Sequence, residues 1–446
     1  MRRPPARGEG VRLRSALDLF AELDRSAAPA DVAIAAFHRR SRGLSRAERH
    51  AVQVRVQGWS RRRAALDWWI QRAGARPLPR TRALAALLLL EGWTPISVER
   101  IFGGAPGHPL RLRAPERALL TALAGRALDH PEQAREVRLE CPEWVLAELA
   151  PRFGAELERE IAALCQPAPL DLRVNTLAAT REQAVASLAR AGLLATPTPF
   201  SPVGLRLSDR PDVAALEAFR LGWIEVQDEG AQIAALLLEA QPGAQVLDLC
   251  AGAGGKTLAL AAAMQGRGRL VACDVRAGRS RRAAVRRRRA GAHNVEERTL
   301  TDGRDAWLAR QQGRFDRVLV DAPCSGIGSW RRNPDARWRL EPRDAAELVA
   351  LQRRLLRAAA RLLRPGGRLL YAVCTWLPSE TEEQARWLLE AAPELRAAPL
   401  DGAWARTLQG DCPRTPEGAV LLTPARHATD GFYLALFERR WSPASD

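Results

Sequence analysis

The sequence contains almost no lysine. Of its 68 basic residues, 67 are arginine, and Lys256 is the single lysine. Either this lysine survived a drift toward arginine by chance, or its position requires a compact ammonium group where a planar guanidinium would not fit. We favour the second interpretation and predict that Lys256 lies in a functional site.

Long apolar runs and metal-binding spacings are also absent. The longest apolar run, LAALLLL at 84–90, is far shorter than the ~20 residues that span a bilayer, and the initial MRRPPARGEG leads into no apolar signal core. The seven cysteines include no CxxC pair, and the six histidines show no metal-ligand spacing. We therefore expect a soluble, cytoplasmic protein that binds neither a metal nor a membrane, and we expect it to act as a monomer.

Positive charge is concentrated at the N-terminal end of the chain. The net charge is +17, and residues 1–130, with 24 arginines against 11 acidic residues, carry +13 of it. A general bias toward arginine would spread this excess along all 446 residues. The concentration therefore predicts that the N-terminal part binds nucleic acid, with a merely solvated surface as the alternative.

Three patterns of apolar residues divide the chain. Residues 11–127 repeat apolar side chains at spacings of three and four, which predicts an all-α domain over 1–130. Residues 131–225 predict a small α+β domain that begins with two helices and a break at Pro151. From 226 to 446 strands alternate with helices, which predicts an α/β domain with a doubly wound, parallel sheet. Its clearest strands are AQVLDL, GRLVACD, RFDRVLVDAP and GRLLYAVCT.

A glycine-rich loop follows the first of these strands, in VLDLCAGAGGKT at 246–257. A phosphate-binding loop of the form G-x-x-x-x-G-K-[ST] would need glycine at position 250, where the chain has Cys250. The glycines instead let the backbone approach a ligand closely, and Asp274, 22 residues after Gly252, can accept hydrogen bonds from ribose hydroxyls. The pattern favours a methyl-donor site, with a generic dinucleotide site or an ATP site as alternatives.

Two cysteines follow two strands of the same predicted sheet. Cys324 lies in DAPCSG and Cys374 in YAVCT, each just past a strand end. A single cysteine is usually a small buried hydrophobe. Because the carboxyl ends of parallel strands meet at one edge of a sheet, both cysteines are predicted to face the cleft that holds the glycine loop.

Taken together, these motifs resemble those of the S-adenosylmethionine-dependent RNA cytosine carbon-5 methyltransferases of the bacterial small-subunit rRNA methyltransferase B (Sun/Fmu/NOP) type. The resemblance implies a Rossmann-like class I methyltransferase domain. Residues 1–130 more weakly resemble the helical RNA-binding domain of the NusB antitermination factor. The motifs that carry the resemblance are LRVNTL at 172–177, VQDEGAQ at 226–232, DLCAGAGGKT at 248–257, CD at 273–274, DGR at 302–304, FDRVLVDAPCSG at 315–326, RRNPDARW at 331–338, LLRPGGRLLYAVCT at 362–375 and DGFYLALF at 430–437.

The resemblance implies catalytic roles for five residues. Carbon 5 of cytosine is a poor nucleophile until a thiolate adds to carbon 6, and Cys374 is implied to be that thiolate. Cys324 would then assist loss of the carbon-5 proton and release of the enzyme. Asp321 would bind the nitrogen-3 and amino edge of the base, Pro323 would fix the turn that presents Cys324, and Lys256 would contact the target nucleotide or polarise the site.

The resemblance also implies how S-adenosylmethionine is bound. Asp274 would hold the ribose, Asp302 would lie near the adenine, and Asp321 would lie beside the donor. The backbone of the glycine loop would supply the other contacts, from Cys250, Ala251, Gly252, Ala253, Gly254, Gly255 and Lys256. The family commonly has threonine before its nucleophilic cysteine, where this chain has Val373.

RNA is the substrate that the resemblance implies. The target base must leave its stack to reach the cysteines, so a loop or partly unfolded RNA is the easier substrate. We expect 16S rRNA, with tRNA as the alternative within the same chemistry. A non-catalytic RNA-binding or ribosome-assembly factor is the alternative of a different class, and the presence of both cysteines disfavours it. The arginine run at 281–291 is interpreted as a solvated helix face, and Trp68 and Trp69 as core residues.

Overall fold

The computed structural model describes residues 8–25, 30–301 and 305–441. The chain forms two compact units. The first unit extends to Gln166 and also contains Trp330–Leu340, whereas the second contains Pro167–Ser329 and the chain from Glu341 onward. The boundary predicted at residue 130 therefore falls inside the first unit, and the segment predicted over 131–225 is divided after residue 166. The division into three domains stays a prediction.

The first unit is helical, as the apolar spacing predicts. Its helices pack around a core that includes Trp59, Trp69 and the buried stretch of residues 83–88. Trp68 is only partly buried and packs against that core. Within the described residues the helices are α1 Glu9–Arg25, α2 Ala30–Arg40, α3 Arg46–Arg61, α4 Arg63–Arg72, α5 Pro79–Leu89, α6 Pro95–Ile101, α7 Ala114–Leu123, α8 Arg135–Arg138, α9 Glu143–Phe153 and α10 Leu157–Leu164.

The prediction that Pro151 marks the break between α9 and α10 is wrong. Pro151 lies inside α9, which continues to Phe153. A proline this close to a helix end removes only one backbone donor of the final turns. The helix ends at Gly154, whose φ of 51° is a left-handed conformation that favours glycine.

Residues Trp330–Leu340 belong to the first unit although they follow the Cys324 motif in sequence. Arg337 is fully buried there and donates to the backbone oxygens of Glu140 and Leu164 at 2.6 and 3.2 Å. Its guanidinium also lies 5.0 Å from the centre of the Trp330 ring. The RRNPDARW motif therefore contributes to the packing of the helical unit.

The second unit begins with a small antiparallel sheet in the order β2-β3-β1-β4. Its two longest strands are β1, with five residues, and β3, with four. The other two have three residues each, too few for a recognisable alternation. The elements are β1 Leu170–Val174, α11 Arg181–Arg190, β2 Ala195–Pro197, β3 Gly204–Leu207, α12 Glu217–Arg220 and β4 Ile224–Val226.

The larger sheet of the second unit has the order β10-β12-β9-β8-β5-β6-β7, with β11 paired to β12. Its strands are β5 Gln245–Asp248, β6 Arg269–Asp274, β7 Val295–Thr299, β8 Phe315–Asp321, β9 Leu363–Val373, β10 Leu395–Ala398, β11 Val420–Leu422 and β12 Phe432–Arg439. Its helices are α13 Glu229–Leu237, α14 Gly255–Ala263, α15 Ala277–Ala290, α16 Ala306–Arg310, α17 Pro342–Leu362, α18 Glu382–Ala391, α19 Asp401–Thr407 and α20 Pro424–His427.

The prediction of a parallel sheet is correct for five strands and wrong for the others. The pairs among β5, β6, β7, β8 and β9 are parallel, whereas β12 pairs antiparallel with β9, β10 and β11. Residues 423–431 join β11 to β12, and a connection this short suits antiparallel pairing. The sheet is therefore mixed.

Both faces of this sheet are buried. Successive residues of β5, Val246 and Leu247, belong to two separate core clusters, as side chains that alternate across a strand must. Chain order reverses between β5 and its neighbours β6 and β8, which is where ligands bind in doubly wound folds. Among the described residues, no helix is both long and apolar enough to cross a membrane.

Candidate active site

The glycine loop follows β5 at the point where chain order reverses. We call residues 249–254 the donor loop. Gly252 and Gly254 have φ angles of 57° and 81°, a region that only glycine enters without strain. A Cβ atom on Gly254 would also lie 3.2 Å from the Cβ of Ala283. Both glycines are therefore required by the local backbone, and α14 begins directly after them.

Asp274 ends β6 and holds the donor loop. Its carboxylate accepts from the backbone N–H of Gly252 at 2.9 Å and from that of Arg276 at 2.7 Å. A cavity lies beside these groups. It is lined by Ala251, Gly252, Gly254, Thr257, Leu258, Ala272, Asp274, Ala283, Arg287, Val295 and Glu297.

The lining fits an adenosyl group. Leu258 and Val295 supply apolar walls, and the carboxylates of Asp274 and Glu297 supply acceptors that suit ribose hydroxyls. Asp274, Gly252 and Gly254 were predicted to contact the donor. Glu297 was not predicted, because VEERT lacks the apolar run by which strands such as β6 are recognised.

The remaining donor-site predictions have different outcomes in the structure. Ala251 lines the cavity, and Cys250, Ala253 and Gly255 lie in or next to the same loop without lining it. Asp302 lies outside the described residues.

Asp248 closes β5 beneath the donor loop and is fully buried. Burial raises the pKa of its carboxyl to about 7, against an opposing hydrogen bond from Thr257 Oγ1 at 2.7 Å. Burial disfavours the charged form of a carboxyl, and the charge of Lys256 opposes this effect only in part. Asp248 therefore connects the donor loop to the first turn of α14 as a structural group.

Lys256 pairs with Asp321. The distance from Lys256 Nζ to Asp321 Oδ2 is 2.7 Å, and the ammonium lies 5.2 Å from the centre of the Phe432 ring. Burial lowers the pKa of Lys256, but Asp321 and then Cys374 raise it more, so that the net shift is upward. The single lysine is therefore a charged group at the carboxyl ends of the strands, among predicted catalytic residues.

The two predicted catalytic cysteines are adjacent. Cys324 Sγ lies 3.4 Å from Cys374 Sγ, and both are free thiols. The hydrogen bond with Cys374, followed by burial, raises the pKa of Cys324 well above its usual range. Either thiol can donate to the other, and the raised pKa of Cys324 favours its protonated form in the free site.

Two contacts join the turns that carry these cysteines. We call residues 322–328 the Cys324 turn and residues 374–380 the Cys374 turn. Ser325 Oγ lies 2.6 Å from Thr375 Oγ1, and Gly328 N–H donates to Cys374 O at 3.0 Å. Val373 is fully buried in the core, so the hydroxyl of the usual family threonine has no counterpart there.

The arginine run on α15 is more than a solvated face, which corrects the prediction. Arg286 donates to Ala253 O at 3.0 Å and to the Glu225 carboxylate at 3.0 Å. Arg289 also binds Glu225 and lies over the ring of Phe219, 3.7 Å from its centre. The run thus links the small sheet to the donor loop, through partners that are distant in sequence.

Comparisons with known proteins agree with this geometry. The family model for the 16S rRNA methyltransferase RsmB/F matches residues 235–438, and the model for the RsmF/B-like ferredoxin-like domain matches residues 141–214. The chain is 33% identical to ribosomal RNA small subunit methyltransferase B of Yersinia pseudotuberculosis over 371 residues, which are 79% of this chain and 84% of that one.

Two further proteins are similar. The probable ribosomal RNA small subunit methyltransferase B of Synechocystis is 36% identical over 298 residues, 66% of each chain. The crystal structure of PH0851 has a TM-score of 0.79 at 26% identity and covers 96% of this chain and 99% of that one. The chain therefore belongs to the 16S rRNA methyltransferase RsmB/F family.

Proposed function

We propose that this protein transfers a methyl group from S-adenosylmethionine to carbon 5 of a cytosine in 16S rRNA, through a covalent bond between Cys374 and the base. The observation that carries this proposal is the adjacency of two thiols, 3.4 Å apart, beside the Lys256–Asp321 pair. Membership of the family makes the protein an S-adenosylmethionine-dependent methyltransferase. The donor cavity opens at the same edge of the sheet as the cysteines.

The residues of the donor cavity would hold S-adenosylmethionine through its adenosine part. Asp274 accepts from the ribose hydroxyls, and the backbone of the donor loop approaches closely because Gly252 and Gly254 carry no side chains. When bound, S-adenosylmethionine supplies the methyl group that carbon 5 takes up.

Cys374 starts the reaction by adding its thiolate to carbon 6 of cytosine. The electron pair of the 5,6 double bond then becomes available at carbon 5, which makes that carbon nucleophilic. Once carbon 5 carries the methyl group, its proton passes to a base, which we assign to the thiolate form of Cys324. The electron pair of that C–H bond re-forms the 5,6 double bond, and the electron pair of the broken bond to carbon 6 returns to the Cys374 sulfur. Cys324 assists this elimination, which restores the aromatic ring and releases the methylated RNA.

Asp321 binds the base during these steps, and Lys256 supports Asp321. Asp321 is 31% exposed in its side chain, whereas Lys256 is 13% exposed, so the carboxylate reaches the cleft and the ammonium supports it from below. Asp321 would face the nitrogen-3 and amino edge of cytosine and stabilise charge that develops there. Lys256 holds that carboxylate in place and offsets its charge.

We assign RNA binding to residues 1–130, which form a NusB-like domain within the helical unit. The excess of 13 positive charges over these residues supports this assignment. The relatives named for ribosomal RNA support 16S rRNA as the substrate, and tRNA is the competing candidate. An unstacked loop of the RNA would present its base at the lowest cost. We also propose that the protein acts as a monomer in the cytoplasm.

A labelled-methyl assay tests the proposal. The protein is incubated with methyl-labelled S-adenosylmethionine and either small-subunit rRNA or tRNA, and the RNA is digested and analysed by mass spectrometry. We expect labelled 5-methylcytidine from rRNA and none with Cys374→Ala. Label in tRNA alone would show that tRNA, and not rRNA, is the substrate. Label on any atom other than carbon 5 would contradict the proposed chemistry.

A further inference from the structure

Two buried side chains hold the backbone on both sides of Cys324. Gln352 of α17 donates from Nε2 to Pro323 O at 2.9 Å. Glu380 accepts from the N–H of Ser325, at 3.0 Å to Oε2 and 3.3 Å to Oε1. These two backbone groups belong to the peptide units that flank Cys324. The orientation of Cys324 therefore depends on Gln352 and Glu380.

The two side chains also bind each other and the Cys374 side of the site. Gln352 Nε2 donates to Glu380 Oε2 at 2.7 Å, and both residues are fully buried. Glu380 is the last residue of the Cys374 turn, and its backbone oxygen accepts from Tyr371 Oη at 2.8 Å. Since Tyr371 lies on β9, three residues before Cys374, Glu380 fixes the Cys324 turn relative to the strand that carries Cys374.

Burying a carboxylate at this position costs free energy. Burial raises the pKa of Glu380, and the hydrogen bonds from Ser325 and Gln352 only oppose that shift. Buried charges contribute little to stability compared with well-packed apolar residues. Glu380 Oε2 accepts from both Ser325 N–H and Gln352 Nε2, and Oε1 also faces Ser325 N–H at 3.3 Å. An amide that kept its oxygen at the Oε2 position would turn its NH₂ group toward the Ser325 N–H, a donor toward a donor.

We propose that Glu380, together with Gln352, is a positioning residue that holds Cys324 against Cys374 for the release step of the reaction. The inference rests on the proposed function, because it assigns Cys324 to elimination. If the hydrogen bonds of Gln352 and Glu380 to the backbone around Cys324 are lost, Cys374 can still add to the base. Cys324, however, is then displaced from the carbon-5 proton. The covalent protein–RNA adduct should then persist.

The test compares Glu380→Gln with Gln352→Met and with a matched control, Glu383→Gln. Glu383 is exposed and lies three residues further along the chain. Each variant is assayed for S-adenosylmethionine affinity by calorimetry, for kcat and KM with RNA, and for a denaturant-resistant adduct. Cys324→Ala serves as the reference for adduct accumulation.

For Glu380→Gln we expect kcat to fall by about 10- to 100-fold, the effect of misplacing a reacting group by about 1 Å. KM and the donor Kd should stay within about threefold of the wild type, and the adduct should accumulate as it does in Cys324→Ala. Gln352→Met should show the same pattern to a smaller degree, and Glu383→Gln should match the wild type.

Two results would overturn the inference. One is a Glu380→Gln enzyme with wild-type kcat. The other is a loss of turnover without an adduct while Cys324→Ala accumulates it, because the defect would then be general damage to the fold, visible also as weakened donor binding. If Cys324→Ala itself accumulates no adduct, the proposed function fails first and the role of Glu380 fails with it.

Discussion

The donor loop and the cysteine turns lie at one edge of the same sheet, but different contacts hold them. The donor loop is shaped by its own glycines and by strand-end groups, above all Asp274, which accepts from Gly252 N–H at 2.9 Å. The Cys324 turn is held by two buried side chains from later parts of the chain, Gln352 of α17 and Glu380 of the Cys374 turn. The two halves of the site can therefore be damaged separately.

Because of this difference, substitutions in the two halves should change different measurable properties. A substitution around the donor loop should change donor affinity and leave the chemistry of the bound complex largely intact. A substitution around the cysteines should change turnover and leave donor affinity unchanged. A variant that changes both would show that the halves are coupled.

Cys374→Ala should have the largest effect on turnover. Without the thiolate, carbon 5 is not activated, and we expect kcat to fall by about 10³-fold or more. Donor affinity should remain within about twofold of the wild type, as calorimetry can measure. Residual turnover of more than a few per cent would show that Cys374 is not the nucleophile.

Lys256→Arg should lose most of the activity. The ammonium is 13% exposed, 2.7 Å from Asp321 and against the Phe432 ring, so a larger planar guanidinium would displace the Asp321 carboxylate. We expect kcat to fall by about 10²-fold, comparable to the loss of one electrostatic contact to the reacting group. Steady-state kinetics checks this, and near-normal turnover would contradict it.

Asp274→Asn should weaken the binding of the donor and leave the chemical step nearly unchanged. The amide can keep one of the two backbone hydrogen bonds but loses the charge and the second acceptor. We expect the Kd for S-adenosylmethionine to rise by about 10-fold, with kcat at saturating donor within about threefold. Unchanged affinity would remove Asp274 from the donor site.

Arg286→Met should weaken the binding of the donor slightly. Its guanidinium binds Ala253 O and the Glu225 carboxylate, and it is partly exposed, so solvent reduces what the contacts contribute. We expect a rise in donor Kd of about two- to fivefold and no change in adduct formation. Arg288→Met, an exposed neighbour on α15, is the matched control. A larger effect on turnover than on donor binding would break the separation of the two halves.

Asp248→Asn should alter the pH dependence of stability more than activity. The carboxyl has a pKa of about 7 in the fold against an ordinary value of 3.8, so folding takes up a proton between these values. Stability is then lost as pH rises through that window, and the loss is complete above about pH 7. The Tm of Asp248→Asn relative to the wild type should therefore rise from about pH 5 to about pH 8. Parallel Tm profiles would show that Asp248 ionises as an ordinary carboxyl.

The donor half of the site was largely predictable from sequence, because its information is local. The strand before Gly252, the glycine spacing and the acid at Asp274 all follow from chain order and backbone geometry. Glu297 was not predicted as a site residue because it lies on β7, whose VEERT sequence has few apolar residues. The contacts of Arg286 were not predicted because its partners, Glu225 and Ala253, are distant in sequence.

The cysteine half was predictable in its reacting groups but not in its support. The positions of Cys324 and Cys374 after two strands predicted that both would face one cleft, and their sulfur atoms lie 3.4 Å apart. Gln352 lies on a helix with an ordinary amphipathic pattern, and Glu380 in a short turn, so neither position indicates a buried polar network. Such networks depend on tertiary contacts that no local pattern encodes. The antiparallel placement of β12 was missed for the same reason.

The most direct test of the account is adduct trapping with Cys324→Ala. The variant is incubated with S-adenosylmethionine and total cellular RNA, and protein–RNA species that survive denaturant are isolated and their RNA is sequenced. We predict an adduct that contains small-subunit rRNA and that disappears in the Cys324→Ala, Cys374→Ala double variant. An adduct that persists in the double variant, or none at all from a variant that still binds S-adenosylmethionine, would contradict the assignment of Cys374 as nucleophile and Cys324 as the releasing group.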